Sequence, residues 1–257
     1  QLLAPGRTHS RLLRLAVIQG VKRCPWDLRP VLQIPPGRNP KGLALLLHAA
    51  AIWPELTDGS ASDRLTDAII GLTSLPDGSS LFGTRAEAPG RATEFQAMAP
   101  PAAGWGYDFP WQSKAFLQPA YFPTVVATSF VVDGIAAAGH PASAHVTTAA
   151  AGLISGHFHR HEDDTGVCYS YSPRDRTRVF NASLFAGKIL ARAAIEAEPQ
   201  LARRWQEEAA RVVDYVVARQ RPDGGWIYGE ADHWQWIDNL HTGFVAPVQR
   251  PALLQKV

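Results

Sequence analysis

The side chains best suited to chemistry gather in three short stretches that also concentrate aromatic rings. In "WGYDFPWQS" (105–113), Trp105, Tyr107 and Trp111 are of the type that stacks on the flat C–H faces of sugar rings. Asp108 can act there as a general acid or base, and Gln112 can hold a hydroxyl or a carboxylate. The plainer reading is a structural loop in which Asp108 caps the next helix.

"GWIYGEADHWQWIDNLHTGF" (225–244) is the richest stretch. Glu230, Asp232 and Asp238 are carboxylates, His233 and His241 can move protons near neutral pH, and Trp226, Tyr228 and Trp236 are stacking groups. Asp238 precedes a predicted helix and His241 lies three residues on, so the two can share a face of its first turn. The alternative is an N-capping Asp238 with a buried, satisfied His241. Glu230 and Asp232 read most simply as solvated surface acids.

"CYSYSPRDRTRVFNAS" (168–183) supplies Tyr169, Tyr171, Arg174, Arg176, Arg178 and Asn181. A tyrosine can serve as acid or base in proton abstraction, and an arginine can neutralise a uronate carboxylate, which acidifies the neighbouring C5 proton. A salt-bridged loop with Asn181 capping the next helix is the competing reading. Upstream, Arg38, Asn39 and Lys41 of "GRNPKG" stand at the mouth of a predicted helix, where an anion would also meet helix N–H groups; simple capping by Asn39 is the alternative. "HFHRHEDD" (157–164) has histidines alternating by two, which fits neither one helical face nor a zinc spacing, and it falls at a predicted helix end. No metal or cofactor is therefore expected. Phosphate loops, a nucleophile elbow and C-x-x-C pairs are absent from the sequence.

The three aromatic stretches share a layout: Trp105-x-Tyr107, Tyr169-x-Tyr171 and Trp226-x-Tyr228, spaced 64 and 57 residues apart. Each precedes a helical pattern, at 123–139, 181–195 and 237–249, and the first two are followed by a second helix, at 142–158 and 200–219. In the last of these, Leu201, Trp205, Ala209, Val212, Val213 and Val216 form one apolar stripe opposite Arg203, Glu207, Glu208 and Arg211. Asn39–Trp53 reads as another inner helix and Leu12–Val21 as an outer one. Residues 76–104, rich in Gly, Pro, Ala and Ser, read as a long irregular insertion. The repeating unit is an αα-hairpin. An all-α toroid of such hairpins in a single domain spanning 1–257 is expected over an open solenoid, because the aromatic loops would then collect on one face as a funnel.

"QRPDGGW" (220–226) fits the Q-x-x-x-G-x-W turn of α/α-toroid enzymes, which include terpenoid cyclases, toroidal pectate lyases and uronyl epimerases. The fuller series "IPPGRNPKGLAL", "WGYDFPWQSKAF", "PTVVATSF", "CYSYSP", "FNASLFAG" and "DGGWIYGE…WIDNLHTGF" resembles a family of α/α-toroid proteins encoded with bacterial polysaccharide-biosynthesis genes, over Arg11 to Phe244. It is more distantly similar to six-hairpin glycosidases. The resemblance implies a role in polysaccharide assembly or tailoring. Residues 60–103 and the tail after Phe244 depart from the pattern. Eight or nine helices are expected where a six-hairpin ring has about twelve, so the ring is incomplete or is completed by the tail or a partner chain.

The expected function is a carbohydrate-active protein that binds an acidic polysaccharide or oligosaccharide, as a C5-epimerase, a lyase or a glycoside hydrolase. For hydrolysis, Asp108 with Asp238 or Glu230 would form the carboxylate pair. A terpenoid-cyclase-like enzyme and a non-catalytic glycan-binding scaffold are the alternatives; the absence of D-x-D-D argues against the former. A net charge of +2 with mixed signs leaves no nucleic-acid footprint. No apolar run reaches the ~18 residues of a membrane span. Cys24 and Cys168 have no metal-type spacing, which predicts a reducing, cytoplasmic setting. The chain starts at Gln1 rather than Met, so a removed leader would leave no trace.

Overall fold

A computed structural model describes residues 11–28, 30–33, 36–56, 58, 60–86, 88–112 and 117–245. The described chain is mostly helical: α1 (Arg11–Arg23), α2 (Pro40–Ile52), α3 (Ala61–Ile70), α4 (Arg91–Met98), α5 (Val125–Ala137), α6 (Ser143–His157), α7 (Phe180–Ala193), α8 (Pro199–Val217) and α9 (Asn239–Val245). Two short antiparallel hairpins interrupt them. In the first, β1 (Trp111–Gln112) pairs with β2 (Leu117–Gln118). In the second, β3 (Arg160–Asp163) pairs with β4 (Gly166–Tyr169). No helix among the described residues is long and apolar enough to cross a membrane.

Helices α2, α5, α7 and α9 pack one against the next. Behind them α3 lies on α2, α6 on both α5 and α7, and α8 on α7. α7 buries 11 of its 14 residues and keeps only a narrow polar edge, where Lys188 and Arg192 pair with Asp133. α8 buries only a stripe, Trp205, Ala209, Val212, Tyr215 and Val216, which is what a covering helix requires. The side chain six residues after each helix-capping position is Leu45, Phe130, Phe185 and Phe244. The three phenylalanine rings meet, with centroids 5.9, 6.4 and 5.5 Å apart, and so align α5, α7 and α9 at the same height. Leu45 at the α2 end of the row is 48% exposed.

The cap chemistry explains where these helices begin. Asn39 accepts from Gly42 N at 3.2 Å, Thr124 from Ala127 N at 3.3 Å and Asp238 from His241 N at 2.7 Å. Pro40 opens α2, where its missing N–H costs nothing. The next loop then lies across the preceding helix start: Val125 N donates to Tyr171 O at 3.0 Å and Phe180 N to Tyr228 O at 3.3 Å. This stagger carries the aromatic loops to one end of the helix row.

Three expectations change. Residues 76–104 are not one irregular loop: they contain α4, and Ser74 bridges to both Ser80 and Gly104. Asp67 on α3 fixes the start of α4 by accepting from Gly90 N and Ala92 N, both at 2.8 Å, a long-range cap invisible to local pattern. "HFHRHEDD" does begin at a helix end, His157 closing α6, but its alternation by two is the period of β3, which follows. The chain is also not purely α, because the β3–β4 hairpin packs on α8. That approach needs Gly166, at φ 149°, since a Cβ there would fall 2.2 Å from Arg211 O. Of the helix expected at 237–249, Asn239–Val245 is helical. Ile237 and Asp238 precede it outside the helix, and residues 246–257, like Ser113–Phe116 of the first aromatic stretch, lie outside the described residues.

Candidate functional site

The repeated aromatic pairs divide labour. The first ring of each pair is buried: Trp105 is 0%, Tyr169 2% and Trp226 3% exposed. Trp105 Nε1 donates to Ile69 O at 2.9 Å in the last turn of α3, and Trp226 Nε1 to Val216 O at 2.8 Å in the last turn of α8. Each indole thus adds a second donor to a carbonyl that already accepts a backbone N–H at the helix end, from Leu72 and Arg219 respectively. Tyr169 instead donates to Glu208 Oε1 at 2.8 Å. Trp105 and Trp226, expected to stack on sugars, are anchors that offer a ligand no surface.

The second ring of each pair converges. The Tyr107 and Tyr171 hydroxyls lie within electrostatic reach of each other, and Trp111 meets both rings edge-on, at 6.3 and 5.7 Å. Tyr228 lies within electrostatic reach of Tyr107 and Tyr171. Trp236 stacks on Tyr228 at 4.8 Å, and His241 meets the same ring edge-on at 4.5 Å. His241 Nδ1 is 2.5 Å from Asp238 Oδ2, and Trp236 Nε1 donates to that oxygen at 3.2 Å. Tyr107, Trp111 and Tyr171 therefore form one ring group at the helix starts, and Tyr228, Trp236, Asp238 and His241 form a second within its electrostatic reach.

Asp238 is both helix cap and histidine partner, so the two readings of this residue are compatible. Its contact occupies Nδ1 and leaves Nε2 as the imidazole nitrogen available for proton transfer. Burial pushes the Asp238 carboxyl up, but the His241 N–H, the His241 ring and the Trp236 indole outweigh it and hold it below the ordinary value. Burial also raises the tyrosines: Tyr228 to about 12 and Tyr171 well above its usual range, the latter helped by neighbouring Tyr107 and Asp175. Tyr171 is thus held as a neutral phenol that can donate, and the phenolate base considered from sequence is disfavoured.

Other expected residues lie elsewhere. Asp108 does not cap the following helix. It accepts from Asn39 Nδ2 at 3.0 Å, beside Gly37, where a Cβ would sit 1.9 Å from Asp108 Oδ2. Glu230 is not a solvated acid: it bonds Arg178 Nε at 2.6 Å, the Tyr215 hydroxyl at 2.6 Å and Arg219. These contacts engage both of its oxygens and tie it to the structural web rather than to the aromatic face. Asn181 does not cap α7; Val179 occupies that position, and Asn181 is 8% exposed with its Oδ1 unpartnered among the described residues. Arg174 is exposed with its guanidinium 5.3 Å from the Phe122 ring. Lys41 Nζ lies 4.2 Å over Phe130, and burial lowers its pKa. Arg38 lines a separate shallow cavity with Arg64, and Gln112 belongs to β1. Asp232 and His233 are exposed in a short 3-10 turn.

Two members were missed. Phe109 stacks on Tyr107 at 5.6 Å and is 50% exposed. Asp175 is buried and accepts from Tyr171 N at 3.2 Å, Ser172 Oγ at 2.7 Å and Thr177 N at 2.9 Å, so it shapes the loop that presents Tyr171. The Ser-x-x-Asp-x-Thr spacing at 172–177 was its signal. The described residues contain no group of three or more His, Cys, Asp or Glu placed to hold a metal ion. Cys24 and Cys168 are both free, and burial pushes the Cys168 thiol up to about 12. No protein family, curated protein or solved structure matches the chain.

Proposed function

We propose that this chain is a carbohydrate-active protein of polysaccharide tailoring, built as an arc of an α/α toroid, that binds an acidic glycan on its aromatic face and removes a sugar C5 proton. The observation that carries the reading is the Asp238–His241 contact set against Tyr228, Trp236 and the Tyr107–Tyr171 pair. The succession of α2, α5, α7 and α9, with covering helices behind, supports the arc.

In this reading Trp111, Trp236 and Tyr228 stack on sugar rings. His241 Nε2 takes the C5 proton of a uronate, with Asp238 stabilising the imidazolium that forms. The electron pair left at C5 delocalises into the carboxylate. Return of a proton to the opposite face gives the epimer. Loss of the C4 oxygen substituent, with a proton supplied by the Tyr107–Tyr171 pair, gives the unsaturated lyase product. Hydrolysis is disfavoured because Glu230 is locked in ion pairs, which leaves Asp108 as the only carboxylate from the original set to pair with Asp238.

The test is proton NMR of the protein in D₂O with a panel of uronic-acid oligosaccharides. Exchange of H5 with inverted couplings marks an epimerase and a new vinyl proton a lyase; His241→Ala should lower either rate at least ~100-fold. A new reducing end with no new vinyl proton would overturn proton abstraction in favour of hydrolysis. Ligand line-broadening without turnover, lost in Trp111→Ala, would leave a glycan-binding module. Neither turnover nor broadening would remove the sugar reading.

A further inference from the structure

A second cavity, of about 590 Å³, opens between the β3–β4 hairpin, the loop before α7 and the turn at 231–234. None of the aromatic-face residues lines it. Five of its lining residues are basic, His159, Arg160, His161, Arg176 and Arg178, and no carboxylate lines it among the described residues. The acids stand behind the cavity wall instead. Glu208 and Glu162 hold Arg160, and Glu230 holds Arg178 at 2.6 Å. Arg178 Nη1 also lies 3.1 Å from His161 Nε2. These contacts fix the orientation of two guanidinium groups. Arg176 is exposed and has no acidic partner among the described residues, so its charge is uncommitted. Trp234 closes one wall and touches Tyr228 edge-on at 6.0 Å, which makes the cavity a neighbour of the aromatic face.

We infer that this cavity binds a tetrahedral oxyanion carried on a sugar, a phosphate or sulfate ester. Guanidinium groups are planar forks suited to oxyanions; Arg160 is spent on Glu208 and Glu162, which leaves Arg176 and the remaining donors of Arg178, with His159 and His161 beside them, to grip a tetrahedral group from several sides. The volume lies within the usual range for small-molecule sites and exceeds what a bare ion fills. Trp234 supplies an apolar wall for the attached ring. The inference stands apart from proton abstraction at His241 and needs no turnover.

Isothermal titration calorimetry of the full chain with glucose 1-phosphate, glucose 6-sulfate and glucose tests it. At least one ester is expected to bind while glucose does not, and the comparison of the two esters identifies the oxyanion. Arg176→Ala should weaken that binding about ten-fold, with part recovered in Arg176→Lys. Arg176 is exposed, so the variant keeps its fold. Arg204→Ala, on the outer face of α8, should bind as the parent does. No ester binding with Kd below about 10 mM would overturn the site. So would equal binding of glucose, binding unchanged in Arg176→Ala, or an equal loss in Arg204→Ala.

Discussion

Glu230 and Asp238 stand eight residues apart in one loop and end in opposite surroundings. Glu230 belongs to a web behind the β3–β4 hairpin, where Arg178, Arg219 and the Tyr215 hydroxyl use both of its oxygens. Arg219 continues that web to Asp163 at 2.6 Å. Asp238 faces the aromatic cluster and has one titratable partner, His241. A carboxylate divided among several cations holds structure; a carboxylate holding one imidazole sets a tautomer and leaves the far nitrogen able to act. The difference lies in how many partners each acid has, which sequence distance does not encode.

Breaking the web should hurt the fold most. Glu230→Ala leaves Arg178, Arg219 and the Tyr215 hydroxyl without their common acceptor, with the Glu230 side chain only 18% exposed. A loss of about 3 kcal/mol is expected, or roughly 6–12 °C in Tm for a chain of this size. Thermal unfolding followed by circular dichroism measures it. A shift within 1–2 °C of the parent, about 0.5 kcal/mol, would mean that Glu230 is not structural and would return it to the list of candidate acids.

The anchor and tip of one aromatic pair sharpen the same contrast. Trp105→Phe removes a buried indole edge and its bond to Ile69 O, costing about 2 kcal/mol. Tyr107→Phe, two residues on, removes one hydroxyl at a partly exposed site and should cost at most about 1 kcal/mol. Glycan binding should respond in the reverse order. Urea denaturation with a binding titration on both variants decides it; equal effects in both assays would remove the division between anchor and tip.

Helix positions were legible because burial repeats at the helical period: 125–137, 143–157, 180–193 and 199–217 all fall within two residues of expectation at each end. The paired aromatics were legible as a repeat, and Tyr107, Trp111, Tyr171, Tyr228, Trp236, Asp238 and His241 do gather. Which ring of each pair would be buried was not legible, because Trp105 and Trp226 are fixed by carbonyls of helices at least ten residues away. Glu230 and Asp108 were misplaced for the same reason. Their partners, Arg178 and Asn39, are 52 and 69 residues distant, and nothing in a local window reports them. The α4 helix was hidden because its start depends on Asp67, across a glycine- and proline-rich segment.

Acid should separate the two regions by a smaller margin. Burial pushes the Glu208 carboxyl up, but Arg160 and the Tyr169 hydroxyl outweigh it and hold it below its ordinary value; Arg160 and Arg211 lower Glu162. A carboxyl whose folded-state pKa is depressed stabilises above its unfolded pKa and loses that contribution as pH falls through the folded value. Stability should therefore decline below about pH 4.5, the ordinary glutamate range. Glu208→Gln should flatten part of that decline, seen as a smaller Tm difference between about pH 5 and pH 3. An unchanged slope would place the acid sensitivity outside the web.

Asp238→Asn should disturb the fold least. Asparagine caps a helix start as well as aspartate does, so the bond to His241 N persists and Tm should move by no more than about 1 °C. The amide introduced by that substitution has no negative charge to favour the imidazolium, and it can meet Nδ1 either as donor or as acceptor. The tautomer with Nε2 free is then no longer enforced. Under the proposed chemistry, kcat for H5 exchange should fall about 100-fold or more while KM changes little, because stacking on Trp111 and Trp236 is untouched. A variant that unfolds more readily but exchanges H5 at the parental rate would reverse the assignment. Asp238 would then be the structural acid of the pair, and the contrast with Glu230 would have to be drawn the other way round.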